Sequence, residues 1–157
     1  MERVPMTRQG AEALKVTIAY LKGEKRHKIV ATIEEARAHG DLSENAEYHA
    51  AKEEQGMNEA RLKDLEDKIA RAQIIDPASI TSDKIVFGAT VKLLDMNEET
   101  EIVYQIVGVD EADIEQGKIS ITSPISRALI GKEEGDVAAV QAPRGEREYE
   151  IQSIEYI

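Results

Sequence analysis

The sequence predicts an α+β protein in which an N-terminal antiparallel α-helical coiled-coil hairpin precedes an antiparallel β domain with a short helix. Residues 1–75 contain apolar side chains at alternating spacings of three and four, which is the helical period. Residues 84–157 contain short β-rich runs with a period of two. The stretch between them, 76–83, combines proline, serine, threonine and aspartate and is typical of a linker. We therefore predict three segments with these boundaries.

The composition excludes several classes of protein. The 157 residues suit one domain or two small ones, and 41% hydrophobic residues are enough for a core. Cysteine is absent, which excludes a disulfide framework and a thiolate metal site. No apolar run approaches the roughly 20 residues that cross a bilayer, and the N-terminus lacks a signal-peptide pattern. We expect a cytoplasmic monomer that does not bind a membrane.

The net charge of −11 belongs mainly to the second half of the chain. Residues 1–75 contain 13 Lys and Arg against 14 Asp and Glu, whereas residues 76–157 contain 7 against 17. Nucleic acid is expected to repel the acidic half, which suits a basic protein surface instead. The nearly neutral first half can approach RNA or DNA at local basic spots. The two halves are therefore expected to have different roles.

The first arm of the hairpin is predicted to begin at Thr7, a residue type that caps helices. Its apolar stripe consists of Leu14, Ile18, Leu21, Ile29, Ile33 and Ala36. The second arm has a heptad seam that is strongest toward its C-terminal end: Tyr48, Ala51, Gln55, Asn58, Leu62, Leu65, Ile69 and Ala72.

The two arms are expected to fold back on each other near Gly40. Facing residues of a hairpin have a constant index sum, and pairs such as Leu21 with Asn58 place the midpoint at about residue 40. Glycine commonly ends a helix through a left-handed residue. Gly23 and Gly56 face each other in this alignment. Three interpretations are open: a bend, a close approach of the two arms, or tolerated surface glycines.

The second half is predicted to form a half-buried antiparallel sheet. Within it, apolar side chains alternate around Ile102, Tyr104 and Ile106, and again around Ile119 and Ile121. A short helix is expected over 124–130, ended by Gly131. The predicted strands cover residues 85–94, 101–107, 118–122, 136–141 and 147–156.

Two acids, Asp41 and Glu44, lie at the predicted reversal, and their spacing allows two interpretations. Asp41 as the N-cap of the second arm, with Glu44 three residues later, matches a capping box. Alternatively, the pair binds Mg²⁺, which prefers near-octahedral oxygen ligands and often takes one or two protein carboxylates. Two exposed acids cannot complete that shell, so the second interpretation requires a partner that supplies the rest.

Two histidines and several basic residues also lie near the predicted reversal. His39 and His49 do not share a helix face with Glu44, which argues against a transition-metal site. Arg37 and Lys52 belong to a local basic set that is either solvated surface or a contact for RNA phosphates.

Residues 37–53, RAHGDLSENAEYHAAKE, closely resemble the tip motif of the bacterial Gre transcript cleavage factors, and the GreA branch more than the GreB branch. We call residues 37–48 the tip. Further similarity lies in PMT at 5–7 with GAE at 10–12, FGATV at 87–91, SPI at 123–125 and ALIGK at 128–132. The resemblance therefore covers essentially the whole chain. One departure is His27, where many relatives have proline.

The resemblance implies a coiled coil followed by an FKBP-like β domain, acting on bacterial RNA polymerase. It implies that the coiled coil enters the polymerase secondary channel and that Asp41 and Glu44 help to hold an Mg²⁺ ion shared with the polymerase active site. Polymerase then cleaves backtracked RNA near its 3′ end. By position, Arg37 and Lys52 would contact the nascent RNA, and Ser123 and Pro124 would belong to the polymerase-docking loop. The chain itself would be a catalytic cofactor and not an enzyme.

Two other functions are considered. A regulator of the same architecture can occupy the channel and inhibit polymerase without stimulating cleavage, but the intact acid pair favours cleavage. A chaperone or prolyl isomerase can also combine such folds. Isomerase pockets of that fold are lined by aromatic residues, and the second half offers only Phe87 and a few tyrosines.

Overall fold

The computed structural model describes residues 2–157 and confirms the predicted fold class, a long helical hairpin followed by a curled β-sheet domain. It divides into two compact units. The helical unit is Ala11–Arg71, and the sheet unit combines Ala72–Ile157 with the residues that precede Ala11. The division thus assigns both ends of the predicted 1–75 segment to the sheet unit. Over the described residues, no helix has the length and apolar character that a membrane span requires.

Three helices build the hairpin: α1 (Arg8–Lys22), α2 (Glu24–Arg37) and α3 (Ala46–Arg71). Thr7 caps α1 as predicted, because its Oγ1 accepts a hydrogen bond from Gly10 N at 3.0 Å. The predicted seam is confirmed, since all its members are at least half-buried. The most buried are Leu21, Ile29, Ile33, Ala36, Ala51, Asn58, Leu62 and Ala72, of which Ala72 lies just beyond the end of α3. Burial of this apolar stripe, and not helix propensity, holds the two arms together.

The first arm is interrupted at Gly23. Of the three alternatives for this glycine, the structure supports a bend. Gly23 has φ −105° and ψ −94°, outside the helical region. His27 N donates to Gly23 O at 3.0 Å, a bond that proline at position 27 could not make. Across the seam, buried Asn58 donates from Nδ2 to Leu21 O at 3.1 Å. The amide of Asn58 therefore satisfies a backbone carbonyl next to the break.

The sheet unit contains a five-stranded sheet. Its strands are β3 (Thr90–Asp95), β4 (Thr100–Val107), β5 (Lys118–Ser120), β6 (Val137–Ala142) and β7 (Gly145–Glu155), and they lie in the order β5-β4-β3-β7-β6. Neighbouring strands are antiparallel as predicted, except that β4 and β5 at one edge are parallel. The helix α4 (Pro124–Leu129) packs Leu129 into the core beside Leu93, Ile106 and Ile151.

A second, two-stranded parallel sheet joins β1 (Val4–Thr7) to β2 (Ala72–Ile75). No local signal in the sequence marks this sheet, because each strand has only four residues and β2 continues the apolar spacing of the seam. The backbone of Pro5 approaches Gly108 so closely that a Cβ on Gly108 would lie 2.2 Å from Pro5 O. Within the sheet unit, the N-terminal strand is therefore packed directly against the loop that follows β4.

The predicted linker 76–83 is ordered at its start. Asp76 caps a 3₁₀ turn at Pro77–Ser79, with Ala78 N donating to its Oδ1 at 3.1 Å. Pro77 is buried within the sheet unit. A buried proline is unusual for a free linker and indicates that these residues contribute to the packing.

Asp95, at the end of β3, is the buried acid of the sheet unit, with 1% of its surface exposed. Its Oδ1 accepts from Asn97 N at 2.9 Å and Glu98 N at 3.2 Å, and its Oδ2 accepts from Arg147 Nη1 at 2.8 Å. Burial raises the pKa of Asp95, but these hydrogen bonds and the charge of Arg147 outweigh it. The pKa therefore lies below its usual value of 3.8.

We expect Asp95→Asn to destabilise the sheet unit at neutral pH and to matter less in acid. A carboxyl whose pKa is depressed by folding contributes stability above its unfolded pKa and loses it as the pH falls through the folded pKa. Urea unfolding at neutral pH and at about pH 3 measures the free energy of unfolding of both proteins. The deficit of Asp95→Asn relative to wild type should be smaller in acid. Exposed Asp83→Asn is the control, and a difference for Asp95→Asn that is independent of pH would contradict this account.

Candidate functional site

The tip connects α2 to α3 without a continuous helix. After α2 ends at Arg37, Gly40 adopts φ +121°, a region that favours glycine. A single 3₁₀ turn then covers Leu42–Glu44, and α3 begins at Ala46. The predicted reversal near Gly40 is thus where the chain turns. The segment between the two helices contains no buried residue, so polar contacts and not core packing determine its conformation.

Asp41 caps the 3₁₀ turn and not α3, so the capping box predicted for the second arm was wrong. Both Ser43 N and Ser43 Oγ donate to Asp41 Oδ1 at 2.9 Å. These hydrogen bonds, the backbone one first, lower the pKa of Asp41, because they stabilise the ionised form. Oδ2 makes no hydrogen bond within the described residues, which leaves one anionic oxygen facing solvent.

Glu44 lies at the end of the same 3₁₀ turn and is exposed. Asp41 and Glu44 line one open depression at the tip, together with His39, Asn45 and Glu47. The structure therefore brings the two predicted acids to a common surface. Within residues 2–157, no group of three or more His, Cys, Asp or Glu side chains is arranged to hold a metal ion. The two exposed carboxylates suit Mg²⁺ only as part of a larger ligand set.

Asn45 is the residue at the tip whose role the sequence analysis missed. Its Oδ1 accepts from Tyr48 N at 3.0 Å and so caps α3. Its Nδ2 donates to Ala36 O at 2.6 Å, across the base of the tip. Asparagine just before a helical run is a capping signal, so the sequence could have predicted that Asn45 caps α3. The bond to Ala36 depends on the fold-back.

The two histidines of the tip have local partners. His39 Nδ1 lies 3.8 Å from Glu47 Oε2, and His49 Nε2 lies 3.3 Å from Ser43 O. The ring of His49 also meets that of Tyr48 edge-on, with centroids 5.6 Å apart. These contacts orient the histidines toward the turn of the chain.

The basic residues predicted to contact RNA lie on the two arms beside the tip. Arg37 is the last residue of α2 and is exposed. Lys52 lies in α3, one helical turn after Tyr48, and is exposed. Its Nζ donates to Gln55 Oε1 at 2.9 Å. Both positively charged groups are accessible, and their RNA contacts stay predictions.

Ser123 and Pro124, predicted to dock on polymerase, form the start of α4 in the sheet unit. Ser123 caps the helix, since its Oγ accepts from Ser126 N at 3.2 Å, and it lies 3.0 Å from buried Ser126 Oγ. Pro124 occupies the first turn of the helix, where its missing N–H costs nothing, and its ring is exposed. The capping role is evident, and the docking role stays a prediction.

Comparison with known proteins identifies the family. Residues 4–74 match the family model "Transcription elongation factor, N-terminal", and residues 80–156 match "Transcription elongation factor, GreA/GreB, C-term". The chain is 59% identical to transcription elongation factor GreA of Bartonella tribocorum over 100% of both chains. It is 57% identical to that of Hyphomonas neptunium, over 99% of each chain.

Among solved structures, the GreA factor homolog 1 (Gfh1) protein of Thermus thermophilus is 29% identical, with 98% of this chain and 99% of that chain covered and a TM-score of 0.44. The family models together span almost all of the chain, and the relatives match it from end to end. The chain is therefore a GreA-like member of the GreA/GreB family of transcription elongation factors.

Proposed function

We propose that this elongation factor stimulates the Mg²⁺-dependent cleavage of backtracked nascent RNA by bacterial RNA polymerase, with its tip in the polymerase secondary channel. The observation that carries the proposal is the pair of exposed carboxylates, Asp41 and Glu44, at the turn of a helical hairpin. One of them is held in its ionised form by Ser43. An incomplete set of acidic oxygens on an exposed turn suits a site that a partner completes.

The dimensions of the hairpin support this use. The helix α3 has 26 residues and is about 39 Å long at the usual rise per residue. Its seam is packed along most of this length, from Ala51 to Leu62 and beyond. A hairpin of this length can present its turn at the bottom of a deep, narrow cavity.

Asp41 and Glu44 are the residues that would hold the shared Mg²⁺, because their exposed carboxylates share a surface and lie in the turn itself, whereas Glu47 in the same depression belongs to α3. An Mg²⁺ ion held there would polarise the scissile phosphate and activate the attacking water. The chain contributes the two anionic groups and their placement. Since two carboxylates leave most of an octahedral shell to the partner, the isolated protein is expected not to cleave RNA.

The remaining predicted residues have supporting roles in this proposal. Arg37 and Lys52 are exposed cations in and next to the tip, and their proposed role is to contact RNA phosphates. Ser123 and Pro124 begin α4 and contribute to the surface that docks on polymerase. The acidic second half of the chain suits a basic docking surface on that partner.

The test is a cleavage assay on stalled, backtracked elongation complexes of bacterial RNA polymerase. With this protein and Mg²⁺, we expect release of short RNA fragments from the 3′ end and renewed elongation. The same RNA incubated with the protein alone should stay intact. Slower nucleotide addition without any fragment release would instead favour the inhibitory channel-binding function and would reject this proposal.

A further inference from the structure

The side chain of Asn45 joins the two arms at the base of the tip. Asn45 accepts from Tyr48 N through Oδ1 and donates to Ala36 O through Nδ2. Ala36 is buried in the seam one residue before the end of α2, and Tyr48 packs against the cluster of Ile29, Ile33 and Ala51. The amide thus ties the exposed turn to the packed part of the hairpin on both sides.

Only an amide of this length both caps α3 and donates a hydrogen bond to Ala36 O. A serine or an aspartate at position 45 can still cap α3, because either accepts a hydrogen bond from a backbone N–H. Neither supplies the N–H that reaches Ala36 O: aspartate has no donor when ionised, and the serine hydroxyl is nearer to the main chain. Capping and closure can therefore be separated by substitution.

Asp41 and Glu44 both lie between the residues that this amide joins. The bond from Asn45 to Ala36 spans nine positions in sequence and encloses the whole 3₁₀ turn. Within the enclosed segment Ser43 binds Asp41, and His49 of α3 contacts Ser43 O from outside it. Residues 37–45 include no buried residue, so loss of the bond to Ala36 leaves exposed contacts such as that of His49 to hold the turn, and both carboxylates can then move relative to the helices.

We propose that Asn45 is a positioning residue, which holds Asp41 and Glu44 in the arrangement that acts on the polymerase active site. The inference rests on the proposed function and adds a residue that acts through the two acids. Misplacing reacting groups by about 1 Å can reduce a rate roughly 100-fold. Asn45→Ser should therefore lower the maximal rate of RNA cleavage by about 10- to 100-fold.

The first measurement follows the turn itself in the free protein. Backbone amide order parameters of Leu42, Ser43 and Glu44 are compared between wild type and Asn45→Ser, and they should fall from values typical of ordered backbone toward about 0.6. Hydrogen exchange at Tyr48 should change little in Asn45→Ser but accelerate in Asn45→Ala, which loses the cap as well. Unchanged order of the three amides in Asn45→Ser would overturn the inference.

The second measurement is cleavage as a function of protein concentration, with Asp41→Asn as the inactive reference. Asn45→Ser should reduce the maximal rate and leave the half-saturating concentration within about twofold, since α3 and the docking surface are intact. A normal maximal rate, or a loss seen only in the half-saturating concentration, would overturn the positioning role. Failure of the wild-type protein to stimulate cleavage would overturn the proposed function instead, while the amide order still decides whether Asn45 holds the turn.

Discussion

Asp41→Asn is expected to abolish stimulated RNA cleavage while leaving the fold of the tip unchanged. The asparagine Oδ1 can still accept both hydrogen bonds from Ser43, so the 3₁₀ turn keeps its cap. What is lost is the negative charge and the free anionic oxygen. Removing one electrostatic group from an active site typically costs on the order of 100- to 1,000-fold in rate. Fragment release from backtracked complexes, measured at saturating protein, should fall by at least this factor.

Glu44→Gln is expected to give a comparable loss, because each variant leaves only one of the two carboxylates proposed to hold Mg²⁺. The matched control is Glu66→Gln, which removes the same charge from the exposed face of α3 far from the tip. This control should cleave like wild type. Competition with wild-type protein should show that both tip variants still bind polymerase. Normal cleavage by Asp41→Asn and Glu44→Gln would mean that these acids serve only the local structure of the turn.

Glu111→Ala is expected to produce the largest loss of stability among the polar substitutions considered. Glu111 Oε2 accepts from Thr7 N and from Gly108 N, both at 2.8 Å, and Oε1 accepts from Thr7 Oγ1. The carboxylate thus joins the last residue of β1, which also caps α1, to the loop after β4. Hydrogen bonds to charged groups contribute about 1.5–3 kcal/mol each. Since alanine leaves two partly buried N–H groups without partners, we expect a loss of at least about 3 kcal/mol.

Urea unfolding followed by far-UV circular dichroism and tyrosine fluorescence measures this effect. Glu111→Gln retains one acceptor oxygen and should show an intermediate loss. Glu115→Ala, four residues away at an exposed position, is the control and should be close to neutral. A loss for Glu111→Ala below about 1 kcal/mol, the usual worth of one neutral hydrogen bond, would show that the N-terminal strand is held mainly by its pairing with β2.

Sequence periodicity alone predicted most of the architecture. The seam from Tyr48 to Ile69 is buried as expected, because a repeat of three and four is imposed by the helix itself and needs no knowledge of distant contacts. The reversal at Gly40 followed from index sums, and the main strands and α4 followed from local alternation and capping residues. The tip motif identified the family, which the comparisons confirmed.

The tertiary structure was needed wherever a role depends on residues distant in the chain. Sequence spacing made Asp41 the natural cap of α3, yet Asn45 caps it, because the chain inserts a 3₁₀ turn before the helix begins. The parallel pairing of β1 with β2 left no local signal, since each strand is short. Nothing in the local sequence distinguishes Glu111 from the other acids of the second half, because its partner Thr7 is 104 positions away. Local periodicity determined which helices and strands form and where Asp41 and Glu44 lie in the chain. Long-range hydrogen bonds determined what holds these two acids and the N-terminal strand in place, because no local pattern encodes such bonds.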